Sequence, residues 1–170
     1  MSIKVSIASE GDYQKIGRLM VGVYADLPEF PSPEQQPAYY DMLANIGEFA
    51  QKESVDILIA TKDEEILGAV VYINDLSDYG SNADLSKEND AAAFRLLAVS
   101  NDARGLGIGK LLTNACIDKA KSNKLSQMII HTTDSMKVAW KMYEKMGFMR
   151  AQDLDFLQGQ LPVYGFRLKF

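Results

Sequence analysis

The sequence predicts a mixed α/β (α+β) fold: a central mixed sheet of about seven strands flanked by about four helices. Three observations carry this expectation. Short apolar or alternating runs recur along the chain (IKVSIA, VDILIAT, ILGAVVYI, FRLLAV, QMIIH, VYGFRLK), as strands require. Between them lie segments with apolar residues at helical spacing. A glycine-rich junction, RGLGIGK at 104–110, separates an apolar run from one of those helical segments.

Residues 3–8 alternate and read as the first strand. Ser9 followed three residues later by Asp12 resembles a capping box, so a helix is expected to about Tyr24, with Ile16, Leu19, Met20 and Val23 on one face. Pro28, Pro31 and Pro33 force a loop, because proline lacks an N–H and blocks helix. A second helix is expected over 37–52. Residues 55–61 and 66–73 read as a hairpin joined by the acidic turn Lys62-Asp63-Glu64-Glu65. The polar stretch 74–90 reads as a long loop, which at this length is mobile or functional. Residues 94–99 form a strand, 106–122 a helix, 127–131 a strand and 135–146 a helix that Gly147 closes in a left-handed cap. Residues 148–151 and 163–169 complete the strands. No repeat, low-complexity segment or linker interrupts this order, so residues 1–170 read as one domain.

The 170 residues suffice to bury about 70% of the unfolded surface, so no covalent staple is needed. A single cysteine excludes an internal disulfide and fits a reducing compartment. No long apolar run opens the chain, and none approaches the roughly 18 residues of a membrane span. The expectation is a cytoplasmic protein with no membrane partner. The net charge of −5 argues against nucleic-acid binding and agrees weakly with a cationic substrate. One histidine and one cysteine do not make a usual zinc set, so no metal is expected.

The junction at 104–110 has the chemistry of an anion site. The first N–H groups of a helix lack internal partners, the macrodipole adds positive charge there, and glycine admits close approach. Spacing then selects among phosphate binders. A Walker A loop needs glycine where this chain has Arg104 and Ser or Thr where it has Leu111. A dinucleotide fingerprint needs glycine at Lys110. Both patterns fail. The pattern R/Q-x-x-G-x-G/A is met by Arg104, Gly107 and Gly109.

That last pattern, within FRLLAVSNDARGLGIGKLL, resembles the acyl-CoA binding motif of GNAT-type N-acetyltransferases. A second stretch, HTTDSMKVAWKMYEKMGFMRAQDLDF, is similar to the last helix and strand of that family through Ala139, Tyr143, Glu144, Lys145, Gly147 and Phe148. The likeness covers about 94–156, while the N-terminal half matches only in the order of its elements. HTT-x-x-M before the helix and GFRLKF at the end give a closer likeness to a bacterial branch of the family.

The resemblance implies a GNAT fold and transfer of an acetyl group from acetyl-CoA to a primary amine by direct attack. It implies that the backbone of Arg104, Gly105, Leu106, Gly107, Ile108, Gly109 and Lys110 holds the pyrophosphate. Arg104 adds its charge, and Lys110 is as readily a plain surface lysine. Leu97, Ala98 and Val99 would lie on a strand that parts from its neighbour at a bulge, leaving backbone groups for the pantetheine arm, with an N–H near Val99 for the thioester oxygen. Tyr143 falls where relatives keep a tyrosine that protonates the leaving thiolate; a phenol remains protonated at neutral pH. Without the resemblance, Tyr143 would read as core, on a face with Ala139, Met142 and Met146.

The general base is not visible. The resemblance places a glutamate near Ala92 and Ala93, where this chain has none; Glu29, Asp75, Asp78 and His131 remain as candidates, and a water path to solvent needs no single base. Met136 replaces an asparagine that contacts CoA in relatives. Cys116 reads as a buried thiol, since direct transfer needs no nucleophile. The acceptor, a small-molecule or peptide amine, has no signature; helices one and two and the 74–90 loop are expected to shape its site. Dimers are common among such proteins, but the sequence marks no interface. A noncatalytic acyl-CoA binding module would share the same loop.

Overall fold

The structure, a computed structural model, describes residues 2–81 and 83–170. In chain order the strands are β1 (Lys4–Ile7), β2 (Val55–Lys62), β3 (Glu65–Ile73), β4 (Ala91–Val99), β5 (Gln127–Thr132), β6 (Met149–Arg150), β7 (Phe156–Gln158) and β8 (Leu161–Lys169). The α-helices are α1 (Tyr13–Ala25), α2 (Pro37–Ala44), α3 (Ile108–Ser122) and α4 (Lys137–Lys145). The sheet runs β1-β2-β3-β4-β5-β8-β6, with β7 added to β8. Every pairing is antiparallel except β4 with β5, which is parallel because α3 carries the chain across between them.

The period-2 alternation of the central strands builds two cores. In β3, Ala69, Val71 and Ile73 face α1 and α2, while Val70 and Tyr72 face α3 and α4. Ile16 and Met20 of α1 meet Leu43 of α2 and Ile46, all fully buried, and each contributes about 1.5–3 kcal/mol of burial. On the other side Ile108, Leu112, Cys116 and Ala120 line the inner face of α3. Helices α1 and α2 approach so closely at Gly17 that any Cβ there would fall on the Ala44 carbonyl.

Three departures from expectation are larger than a shift of one or two residues at an element end. The helix expected over 37–52 stops at Ala44 and continues as a 3-10 turn, Ile46–Gln51. Asn45 marks the break: its side chain donates to the Asp41 carbonyl at 2.9 Å, a local bond that competes with regular helix. Strand β4 begins at Ala91 rather than 94, since three alanines extend the apolar run. An eighth strand, β7, pairs with β8 through a turn at Gly159, whose φ is +63°. Gly147, at φ +100°, closes α4 as expected.

Candidate active site

The site begins with a defect in pairing. Strands β4 and β5 pair only at Ala91–Gln127, Ala92–Met128 and Ala93–Ile129, although both strands continue. Beyond Ala93 they part. On its other edge β4 keeps pairing with β3, but its register shifts between Ala69–Ala98 and Val71–Arg95, inserting one extra residue in β4. Leu96 absorbs that bulge at φ +59°, a region branched residues seldom visit. The bulge turns β4 away from β5 and leaves the edge at Leu97, Ala98 and Val99 unpaired on the β5 side. One backbone group there is taken: the Tyr24 hydroxyl of α1 donates to the Leu97 carbonyl at 3.1 Å.

At the end of β4 the chain makes a short turn, Asn101–Ala103, and enters the glycine loop. Gly105 and Gly107 adopt φ +83° and +77°, and a Cβ at either would meet nothing within 4 Å. Glycine is required there by backbone conformation, not by crowding. Gly107 is the N-cap of α3, and the first bond onto the helix is Leu111 N–H to Gly107 O at 3.0 Å. The N–H groups of Ile108, Gly109 and Lys110 precede it and have no intrahelical acceptor. They open beside the parted edge of β4: a Cβ on Gly109 would come 3.9 Å from Leu97 and 3.5 Å from Met142 of α4.

A cavity of about 550 Å³ occupies the gap between β4 and β5 and reaches both faces of the sheet. On the α3–α4 face it is bounded by the glycine loop, Met142 and Tyr143; on the α1–α2 face by Tyr24, Tyr39, Phe30, Tyr79 and Arg95. Of the expected cofactor residues, Leu97, Val99, Arg104, Gly105, Gly107, Ile108, Gly109 and Lys110 line it. Ala98 and Leu106 do not: Ala98 points into the α1–α2 core, and the Leu106 side chain is exposed.

Tyr143 lies on the inner face of α4 against Phe94 and Phe148, with ring centroids 5.8 and 5.7 Å away. Its hydroxyl makes no hydrogen bond among the described residues, yet no fully buried side-chain oxygen or nitrogen there lacks a partner. The hydroxyl therefore retains access to the cavity that its residue lines. Burial pushes its pKa well above that of an ordinary phenol, so it is fully protonated at neutral pH.

His131 is fixed rather than available. Its Nε2 lies 2.8 Å from the Leu154 carbonyl and its Nδ1 2.7 Å from the Tyr79 hydroxyl. A carbonyl only accepts, so Nε2 carries the proton and Nδ1 accepts from Tyr79. Burial lowers the imidazole pKa to about 4. The other expected base candidates lie outside the cavity wall. Asp75 caps a 3-10 turn through Ser77, and Asp78 accepts from Ser54 Oγ at 2.8 Å. Glu29 sits in the proline loop at φ +61°. Among the described residues, no aspartate or glutamate lines the cavity; its charged members are Arg95, Arg104, Lys110 and Lys137. The weak inference of a cationic substrate from net charge thus has no local counterpart.

Sequence reasoning missed Arg95 and the Tyr79–His131 pair. Arg95 is the one charge in the apolar strand AAAFRLLAV, and that interruption is the signal by which it could be found. Met136 lines the cavity, where its sulfur accepts from Thr132 Oγ1 at 3.4 Å. Cys116 is buried, and burial raises its pKa, which leaves it an inert thiol. No group of three potential metal-ligating side chains occurs among the described residues. No helix among them is long and apolar enough to cross a membrane.

Comparison with known proteins shows the family and the fold. The family described as acetyltransferase (GNAT) matches residues 21–148. The chain is 34% identical over 71 residues to N-acetylaspartate synthetase of Danio rerio, a match covering 41% of this chain and 25% of that protein. The chain thus spans about a quarter of that curated relative. Among solved structures it is similar to a GNAT-family acetyltransferase of Staphylococcus aureus Mu50 (TM-score 0.75, 18% identity, 99% of both chains). It is also similar to the PaiA N-acetyltransferase of Thermoplasma acidophilum in complex with coenzyme A (TM-score 0.73, 15% identity, all of both chains). At these identities the structural likeness establishes the fold.

Proposed function

This chain belongs to the acetyltransferase (GNAT) family, and on that premise we propose that it transfers the acetyl group of acetyl-CoA to a primary amine by direct attack. The observation that carries the reading is the meeting of two sets of open backbone groups: the β4 edge beyond Ala93 and the free N–H groups at the start of α3. Residues 1–170 are read as one acetyltransferase domain, with a single sheet running from Lys4 to Lys169.

In this reading the amides from Gly105 to Lys110 cradle the pyrophosphate, and the space beside Gly105 and Gly107 admits it. Arg104 and Lys110 supply countercharge. The backbone of Leu97, Ala98 and Val99 lies along the pantetheine arm, and Met142 packs beside it. Acetyl-CoA supplies an activated acyl carbon with thiolate as leaving group. Tyr143, protonated and open to the cavity, hands its proton to that sulfur. No side chain of the described cavity wall takes the proton of the incoming ammonium. That proton leaves through water at the cavity mouth.

The lack of a cavity carboxylate also suits the alternative, a noncatalytic acyl-CoA sensor or interaction module. Thiol release separates the two readings. With acetyl-CoA and a panel of amines, the enzyme releases free thiol with at least one class, and Tyr143→Phe lowers that rate while acetyl-CoA affinity is kept. Binding of acetyl-CoA without thiol release from any amine supports the module instead.

A further inference from the structure

Among the half-buried arginines, Arg95 alone holds no carboxylate. Arg150 grips Asp155 at 2.8 Å, and Arg167 holds Asp153 at 2.6 Å together with Glu88. Arg95 makes no ion pair among the described residues. Among the described residues it donates only from Nη1, to the carbonyls of Tyr79 at 2.8 Å and Gly80 at 3.1 Å. The guanidinium carries five N–H donors, so its Nε–Nη2 edge has no partner among the described residues. That edge is the planar fork that fits a carboxylate.

The guanidinium is also held in place. It stacks over the Tyr79 ring at 5.2 Å and the Phe49 ring at 5.7 Å. Its charge acts on four neighbours at this end of the cavity, Tyr24, Tyr39, Tyr79 and His131. Lys52 adds a second cation nearby, since a Cβ on Gly80 would lie 3.3 Å from its Nζ and 3.7 Å from Arg95 Nη1. No aspartate or glutamate of the described cavity wall answers this charge.

Aromatic rings form much of the wall at this end. Tyr24, Phe30 and Tyr39 form one cluster with centroids 5.6 to 6.3 Å apart. Phe156 of β7 closes against His131 at 5.0 Å. The β7–β8 hairpin is tied to the residue that precedes α2, where Gln158 Nε2 donates to Gln36 Oε1 at 2.9 Å. This bridge across the acceptor end favours a small molecule over a polypeptide chain.

We propose that the free Nε–Nη2 edge of Arg95 binds the carboxylate of the acceptor, and that the acceptor is a free amino acid with an apolar or aromatic side chain. The proposal rests on the acetyltransferase reading above. In the reaction the ammonium of the amino acid first loses one proton to solvent. Its nitrogen then bonds to the acetyl carbon as the carbon–sulfur bond breaks. Tyr143 gives its proton to the thiolate, and the second amine proton restores the phenol. The products are an N-acetyl amino acid and free CoA thiol. Arg95 acts in binding and takes no proton.

Matched substrate pairs test this. Thiol release is measured with acetyl-CoA and phenylalanine against phenethylamine, and methionine against 3-(methylthio)propylamine. The expected result is a kcat/KM at least about tenfold higher for each amino acid than for its amine. Arg95→Met raises KM for the amino acid by about tenfold or more with little change for the amine, and Arg95→Lys recovers part of the loss. Calorimetry shows acetyl-CoA affinity unchanged in both variants. Equal or better turnover of the matched amines overturns the carboxylate assignment while the acetyltransferase reading stands. Acetyl-CoA binding without turnover of any amino acid also overturns it. Failure to bind acetyl-CoA at all removes the underlying reading instead.

Discussion

The hydroxyl of Tyr24 donates to the carbonyl of Leu97 across 3.1 Å, joining α1 to the β4 edge that has lost its partner strand. Tyr24 is buried and its pKa is raised by that burial, so it is a permanent donor at neutral pH. The bond satisfies a carbonyl that parallel pairing would otherwise have served. Tyr24→Phe keeps the ring contacts with Phe30 and Tyr39 but leaves this carbonyl without its donor. The expected cost is about 1–2 kcal/mol, seen as a fall of several degrees in thermal midpoint. An unchanged melting curve contradicts the role given to the bond.

Gly107 and Gly109 separate backbone demand from ligand access. Gly107 sits at φ +77°, so Gly107→Ala destabilises by about 1 kcal/mol through strain alone. Gly109 has no such constraint, and its Cβ would make ordinary contact with Met142 at 3.5 Å. Gly109→Ala therefore folds at native stability yet weakens acetyl-CoA binding by crowding the amides that face the ligand. Urea melts and calorimetry on the two variants check both halves.

Tyr143 is expected to matter for rate and not for affinity. Tyr143→Phe preserves the packing against Phe94 and Phe148 and removes only the hydroxyl. Turnover should fall by about 100-fold, the lower range for a positioned acid, with acetyl-CoA affinity within about twofold. Because burial raises the phenol pKa, wild-type turnover should show no loss up to pH 10 from its ionisation.

His131 makes stability depend on pH in a defined window. Its pKa falls from 6.5 in an open chain to about 4 in the fold, chiefly through burial. Between those values the unfolded chain binds the extra proton, so stability rises with pH. The contribution is complete above 6.5 and is lost as pH falls toward 4. Denaturant melts from pH 7 to 4 should show this slope, and His131→Gln should flatten it. A slope unchanged in His131→Gln contradicts the assignment.

Much of this was legible before the fold was known, and the reasons differ by residue. Leu112, Cys116 and Ala120 repeat at helical spacing, and β3 is a continuous apolar run, because burial on one face of α3 and on both faces of β3 imposes those patterns. Gly107 stands out because the left-handed backbone at the start of α3 restricts residue choice there. The break at Asn45 was not readable: the apolar period continues past it, and only Gly47 against the Tyr13 ring and the Asn45 side-chain bond decide for a 3-10 turn. The β7–β8 hairpin left a signal in Gln158-Gly159-Gln160, too short to distinguish from loop. Arg95, Tyr79 and His131 are far apart in sequence, and their meeting depends on the β4 bulge at Leu96, which no local pattern encodes.

Titration of the protein with acetyl-CoA by calorimetry tests the central claim most directly, because both the β4 opening and the α3 amides are assigned to that one ligand. One molecule should bind per chain, with affinity reduced in Gly109→Ala and kept in Tyr143→Phe. Absence of binding at millimolar acetyl-CoA would contradict the account.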